Sequence, residues 1–294
     1  MEYFLALLAN GLLSGPVYAL IGMAFIVVYR ASGVINFSLG EWVSFGARLT
    51  GVGVQVAGLP LAAALAAALA CATALAIAFN RLVVRRLAGR PVTAVVMATL
   101  ALGVMMQAGA ALSLGGLPSA IPFPLADASW LIGDIPVPPG RLIAGGVAIL
   151  LMAAVMLFFR LSRAGVAIRA IADDPQAAAA AGVSATRHLS IAWAISGGLA
   201  VAAGVLWSID GLGGFGMALV LAKVLPVVVI GGLTSFAGAL VGAAIVGLSE
   251  SMAAGYLDPW IGTGSGGLVA ATLVLVTLWL RPAGLFGQKR VERV

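Results

Sequence analysis

The chain has very little charge. Only 9% of its 294 residues are Asp, Glu, Lys or Arg, and 62% are hydrophobic; a soluble domain carries roughly 25% charged residues. Together with a mean hydropathy of +1.15, this excludes an ordinary globular protein. Cysteine and histidine are nearly missing, with one of each, Cys71 and His188, so there is no internal disulfide and no Cys-based metal site. Cys71 stands within an apolar block and reads as packing. His188 stands beside Arg187 where a span begins and reads as an interface residue rather than a ligand. Lysine is scarce too: Lys223 and Lys289 are the only two, and neither follows a G-x-x-x-x-G-K-[ST] phosphate loop. If ATP drives this protein, another chain binds the ATP. H-E-x-x-H, G-x-S-x-G and paired intramembrane aspartates are all lacking, which leaves hydrolytic chemistry without its residues. Basic patches interleaved with aromatics are lacking as well, so the net charge of +6 does not read as nucleic-acid binding. No base precedes Arg30, so a cleaved signal peptide is not expected and the first apolar block should be retained.

The chain does have long, continuously apolar blocks. A helix needs roughly 20 such residues to cross a bilayer, and residues 4–29, 61–79, 92–112, 142–159 and 189–209 meet or approach that length. Shorter blocks cover 42–57, 217–230, 239–255 and 267–280. Barrel strands would alternate apolar with polar, and these blocks do not. The expectation is a single all-α, polytopic membrane domain over 1–294, with about eight to ten crossings and broken helices near the midplane. Charge orients it. Residues 80–90 (Arg81, Arg85, Arg86, Arg90), 160–187 (Arg160, Arg163, Arg169, Arg187) and 281–294 (Arg281, Lys289, Arg290, Arg293) hold 12 of the 16 bases. The alternate loops hold Asp127, Asp134, Asp210 and Asp258 and no base. Basic loops stay on the cytoplasmic side, which puts the C-terminus inside. The side of the N-terminus depends on whether residues 30–57 cross once or fold as two broken pieces.

Three polar interruptions stand out. Residues 160–187 are long and basic, and Asp173-Asp174-Pro175 resembles a helix start, with acids and proline where the helix dipole and the missing N–H favour them. Gly182 reads as the stop. The segment is either a short cytoplasmic helix presented to a partner or a solvated connector. Residues 32–41 place Asn36, Ser38 and Glu41 among apolar residues, with Gly33 and Gly40 able to break a helix. Non-helical backbone in hydrocarbon persists only where protein or a water-filled cavity covers it, and a carboxylate there marks a pathway or a buried pair. The competing reading is a plain cytoplasmic turn, Glu41 capping the next helix and Arg30 and Arg48 neutralising it. Residues 231–238 form a second glycine-rich break, and paired breaks in two halves of a chain point to a midplane path; close helix packing would also explain the glycines. Lys223 and Glu250 each lie in a short apolar block and are candidates to pair.

These stretches carry a resemblance. Gly33-Val-Ile-Asn-Phe-Ser-Leu-Gly-Glu41 resembles the V-[IL]-N-F-[AS]-x-G-E signature of branched-chain amino acid ABC permeases of the LivH type, although Ser38-Leu39 replaces the family's common Ala-His. Gly165, Arg169-Ala170, Ala172, Asp174 and Ala181-Gly182-Val183 look like its cytoplasmic coupling segment. Residues 231–242 and 280–287 are similar to its C-terminal motifs. The resemblance implies one permease subunit of an importer in a prokaryotic inner membrane, with no cofactor of its own. It also implies a second related permease, two cytoplasmic ATP-binding subunits, an extracytoplasmic solute-binding protein and contact with membrane lipid. Gating residues would then be Asn36, Phe37, Ser38, Gly40, Glu41, Gly231 and Gly232. ATPase-coupling residues would be Gly165, Arg169, Ala170, Asp173, Asp174, Ala181 and Gly182. The alternative is a self-sufficient secondary transporter or channel for a small polar solute, against which the scarcity of intramembrane acids counts.

Overall fold

Between Glu2 and Arg30 no residue is charged, and this stretch folds as one helix, α1 (Glu2–Ser32). A helix that is apolar all round belongs in an interior, and every residue from Val17 to Val28 is buried. In the computed structural model, which describes residues 2–117, 119–123, 130–132, 135–209 and 220–287, α1 is the central post of the bundle. Asp127, Asp134, the turn at 210–216 and the tail bases Lys289, Arg290 and Arg293 lie outside the described residues.

Around α1 stand α5 (Pro139–Leu161), α8 (Ala185–Ile209), α9 (Leu225–Gly231) and α10 (Phe236–Tyr256). Within membranes, small residues let helix backbones approach closely. The α1–α10 contact shows this: a Cβ on Gly11 would fall 2.6 Å from the Gly247 carbonyl oxygen, and one on Gly247 would fall 2.5 Å from that of Gly11. In a second group, α2 (Leu39–Gln55) and α3 (Leu61–Leu82) pack with α8 and α4 (Val92–Leu114) packs on α2, while α12 (Ser265–Leu280) packs on α9 and α10. The short helices α6 (Arg163–Asp173), α7 (Pro175–Ala180) and α11 (Asp258–Ile261), and a hairpin of β1 (Trp130–Ile132) and β2 (Ile135–Val137), connect them.

The expected helical membrane fold is what the chain adopts. Among the described residues, six helices are long and apolar enough to cross: α1, α3 with its 3₁₀ extension to Leu87, α4, α5, α8 and α10. With 17 and 16 residues, α2 and α12 are shorter than the roughly 20 residues of a typical crossing, and α9 is shorter still because Gly231-Gly232 ends it. The bases of residues 81–90 and 160–187 gather at one end of the bundle, where Arg85 donates to the Thr186 carbonyl at 2.7 Å. At the opposite end, the Tyr3 hydroxyl donates to the Gly255 carbonyl at 3.0 Å. Cys71 is exposed on α3 rather than packed inside. His188 sits at the basic end, its Nδ1 2.7 Å from the Ser184 carbonyl oxygen.

Candidate functional site

The first break follows α1. Gly33 takes φ +69°, a conformation open to glycine, and residues 33–38 double back without helix before α2 begins. Asn36 and Ser38 are buried, 3% and 0% exposed, and they bond to one another. The Ser38 N–H and hydroxyl donate to Asn36 Oδ1 at 3.1 and 2.6 Å, and the Trp42 indole N–H donates to Ser38 Oγ at 3.0 Å. From α4, Thr99 Oγ1 accepts the Phe37 N–H at 3.3 Å. Gly103 lets α4 press on the turn, since a Cβ there would sit 3.5 Å from Ser38 Cα and 3.8 Å from Glu41 Cγ. At 1.5 Å per residue from Val92, Thr99 and Gly103 lie about 10 and 16 Å along α4. The turn therefore packs against the body of α4 rather than its end. Gly40 and Glu41 are buried in the first turn of α2, where the helix dipole favours a carboxylate.

The second break follows α9. Gly231 and Gly238 face each other so closely that a Cβ on either would strike the other's carbonyl oxygen. Gly232 takes φ +108°, and Ser235 caps α10 by accepting the Gly238 N–H at 3.0 Å. The terminal carbonyls of α9 are claimed by the segment after α12: Leu285 N–H donates to Ile230 O at 2.9 Å and Phe286 N–H to Gly231 O at 3.0 Å. This break lies at the basic end. Phe236, the first residue of α10, packs against Phe159 at the end of α5 (5.1 Å between ring centroids) and under Arg30 of α1 (5.7 Å). Arg30 lies three residues before Gly33, so the first break begins at the same end of the bundle as the second.

The basic end also carries α6 and α7. Ser162 caps α6 by accepting the Gly165 N–H at 2.9 Å, and Gly165 turns so tightly that a Cβ would meet Phe159 Cα at 2.5 Å. Arg169 donates to the Phe159 carbonyl at 2.6 Å, locking α6 to α5. Asp174 caps α7 by accepting from the N–H groups of Gln176 and Ala177 at 2.9 and 3.0 Å, and Gly182, φ +80°, closes it. The residues expected to act together thus divide. Gly165 is buried and Arg169 half-buried, both anchors, while Ala170, Asp173, Asp174, Ala181 and Gly182 are exposed.

Far from the basic end is a cluster whose assembly the sequence left open. Lys223, on a π-helical turn (Val220–Val224) that runs into α9, meets Glu250 of α10 at 2.6 Å. The same oxygen, Oε2, accepts the Tyr18 hydroxyl of α1 at 3.3 Å. The Lys223 ammonium stands 5.6 Å from the Tyr18 ring centre, and that ring stacks on Trp207 at 5.5 Å. These groups border a cavity of about 340 Å³ that Arg141 and Asp258 also line. Arg141 donates to Asn10 Oδ1 at 2.8 Å. Ser265, through its side chain first and then its backbone N–H, holds the Asp258 carboxyl below the usual carboxylate range. Only the isolated charges of Lys223 and Glu250 hinted at this cluster; Tyr18 and Arg141 gave no signal of their own. Among the described residues, no three of His, Cys, Asp and Glu gather as a metal site.

Known proteins agree along the whole chain. A family model described as branched-chain amino acid transport system, permease component, matches residues 7–280. The chain is 29% identical to the high-affinity branched-chain amino acid transport system permease protein LivH of Salmonella typhimurium and to that of Escherichia coli, over 99% of this chain and 98% of each relative. It is 27% identical to the corresponding protein BraD of Pseudomonas aeruginosa, with the same coverage.

Proposed function

The chain belongs to the family of branched-chain amino acid transport permease components, and from that premise we propose that it forms the membrane conduit of an ATP-driven importer for branched-chain or closely related amino acids. It is a multi-pass membrane protein and a transport component. In the proposed assembly it pairs with a second permease, two ATP-binding subunits dock on its cytoplasmic side, and a solute-binding protein delivers cargo from outside. Its basic end, and with it the C-terminus, faces the cytoplasm, because basic loops resist translocation.

The observation that carries the reading is the α6–α7 platform. A chain without a phosphate loop needs a handle for a partner's nucleotide-driven motion. Here an exposed, alanine-rich surface is fixed to α5 through Gly165 and Arg169 and touches α1 and α8. Motion applied there reaches the bundle through packed elements rather than a slack loop. In the assembled transporter, Ala177→Pro or reversal of Asp173 and Asp174 to lysine is expected to abolish solute-stimulated ATP hydrolysis while the chain still inserts. Stimulation equal to wild type in these variants refutes the coupling role. Break residues 36–41 act in gating in this reading, because their polar groups bond to one another and to α4.

A further inference from the structure

We propose that the cavity beside Lys223 and Glu250 receives the charged head of the transported amino acid, Glu250 taking the ammonium and Lys223 with Arg141 taking the carboxylate. The inference rests on the amino-acid reading above and adds the place and the partners.

The first argument is an incomplete pair. Glu250 is only 7% exposed. Its Oε2 accepts from both Lys223 and Tyr18, while its buried Oε1 has no donor among the described residues. Burying a carboxylate is costly unless its oxygens are hydrogen-bonded, and inside a membrane an ionisable side chain marks a functional site by default. A pair kept for packing alone would satisfy both oxygens. Here one carboxylate oxygen is left over in a residue that borders a cavity, and an ammonium group is a donor that suits it once the side chain turns toward that space. Lys223 has three donors and a side chain 29% exposed, so it can hold Glu250 and still reach a solute.

The second argument is selectivity of charge. Two cations, Lys223 and Arg141, and two carboxylates, Glu250 and Asp258, line the same space. A simple anion meets the carboxylates and a simple cation meets Lys223 and Arg141. A solute with both charges on neighbouring atoms satisfies both sets. The volume of about 340 Å³ lies at the small end of the roughly 300–1,000 Å³ of ligand pockets, which suits a single amino acid. The third argument is construction. Lys223 stands on a π-helical turn, a widened backbone that is frequent at functional sites. Tyr18 is held by its stack on Trp207, and Arg141 by Asn10. The cavity lies away from the basic end, on the side from which an importer takes its cargo.

Leucine uptake by the complete transporter in cells without other leucine uptake provides the test, with membrane amounts measured in parallel. Glu250→Gln and Lys223→Met are each expected to raise KM at least tenfold. The exchange variant, Lys223→Glu with Glu250→Lys, is expected to restore membrane amount but not KM; restoration of both shows a merely structural pair and overturns the proposal. A second measurement needs no variant. The chain has only two lysines, so acylation of Lys223 is read by mass spectrometry with Lys289 as reference. L-leucine is expected to protect Lys223, while isovalerate and isoamylamine, each lacking one charge, are not. No protection by leucine, with leucine uptake intact, overturns the subsite alone. Wild-type transporter that takes up no amino acid overturns the solute reading and the subsite with it.

Discussion

Replacing Asn36 by alanine removes the acceptor around which the first break is wound. Asn36 Oδ1 takes two hydrogen bonds, from the Ser38 N–H and hydroxyl, and the side chain is 3% exposed. Each buried donor left unsatisfied costs about 1–3 kcal/mol in a soluble core. Two facts reduce the sum. The Ser38 hydroxyl rotates and finds another acceptor, and side-chain bonds in membrane bundles average only about 0.6 kcal/mol because the unfolded chain in lipid also finds partners. The backbone N–H of Ser38 has no such freedom, so the expected loss is about 2 kcal/mol. The assay is SDS-induced unfolding of the purified chain in micelles, for Asn36→Ala, Ser38→Ala and the double variant. Because the residues touch, the double variant should depart from additivity by about 1 kcal/mol. A loss for Asn36→Ala under about 0.5 kcal/mol, with additive single effects, would refute the buried network.

Two further outcomes follow from close backbone approach. Gly11→Ala and Gly247→Ala each push a Cβ within 2.6 Å of a carbonyl oxygen, and overpacking of this kind costs about 1–3 kcal/mol; an unchanged thermal midpoint for both contradicts the α1–α10 contact. Gly284→Val combines φ +79° with a Cβ 2.6 Å from Val229 O, so it should release the segment after α12. Hydrogen exchange reads this directly: the Leu285 and Phe286 amides, bonded to Ile230 and Gly231, are expected to exchange quickly in the variant, and protection as in wild type contradicts the cap.

Local signals in the sequence identified what local chemistry builds. The Asp-Asp-Pro run predicts the start of α7, and Asp174 does cap it; Gly182 predicts its end and does take positive φ. Long apolar runs predict α1, α3, α4, α5 and α8, because length against bilayer thickness is a one-dimensional property. The shorter blocks were harder, since α2, α9 and α12 end at turns whose depth depends on neighbours such as Thr99 and Gly103. The depth of the Asn36 turn was therefore open between a surface loop and a membrane break. The Lys223–Glu250 contact was open for a similar reason: it exists only because the chain reverses at 232–235 and brings α10 back past the π turn. Tyr18 stands 232 positions from Glu250, a distance at which no periodicity speaks.

Placement also explains why the second break belongs at the basic end. Arg169 holds α6 on Phe159, Phe159 packs on Phe236, and Phe236 begins α10. Helix α10 has 21 residues, about 31 Å at 1.5 Å per residue, and near its other end it carries Glu250. Gly231 and Gly238 bring α9 and α10 close together at their turn, and the chain on both sides of that turn converges again at the Lys223–Glu250 pair. A helix packed on the platform side at one end and in a charged contact near the other is the kind of element that two sites can bias together. In the proposed importer, displacement of the platform would tilt α10 and change the separation of Lys223 from Glu250, which ties cargo release to the partner's nucleotide cycle without any hydrolytic residue in this chain.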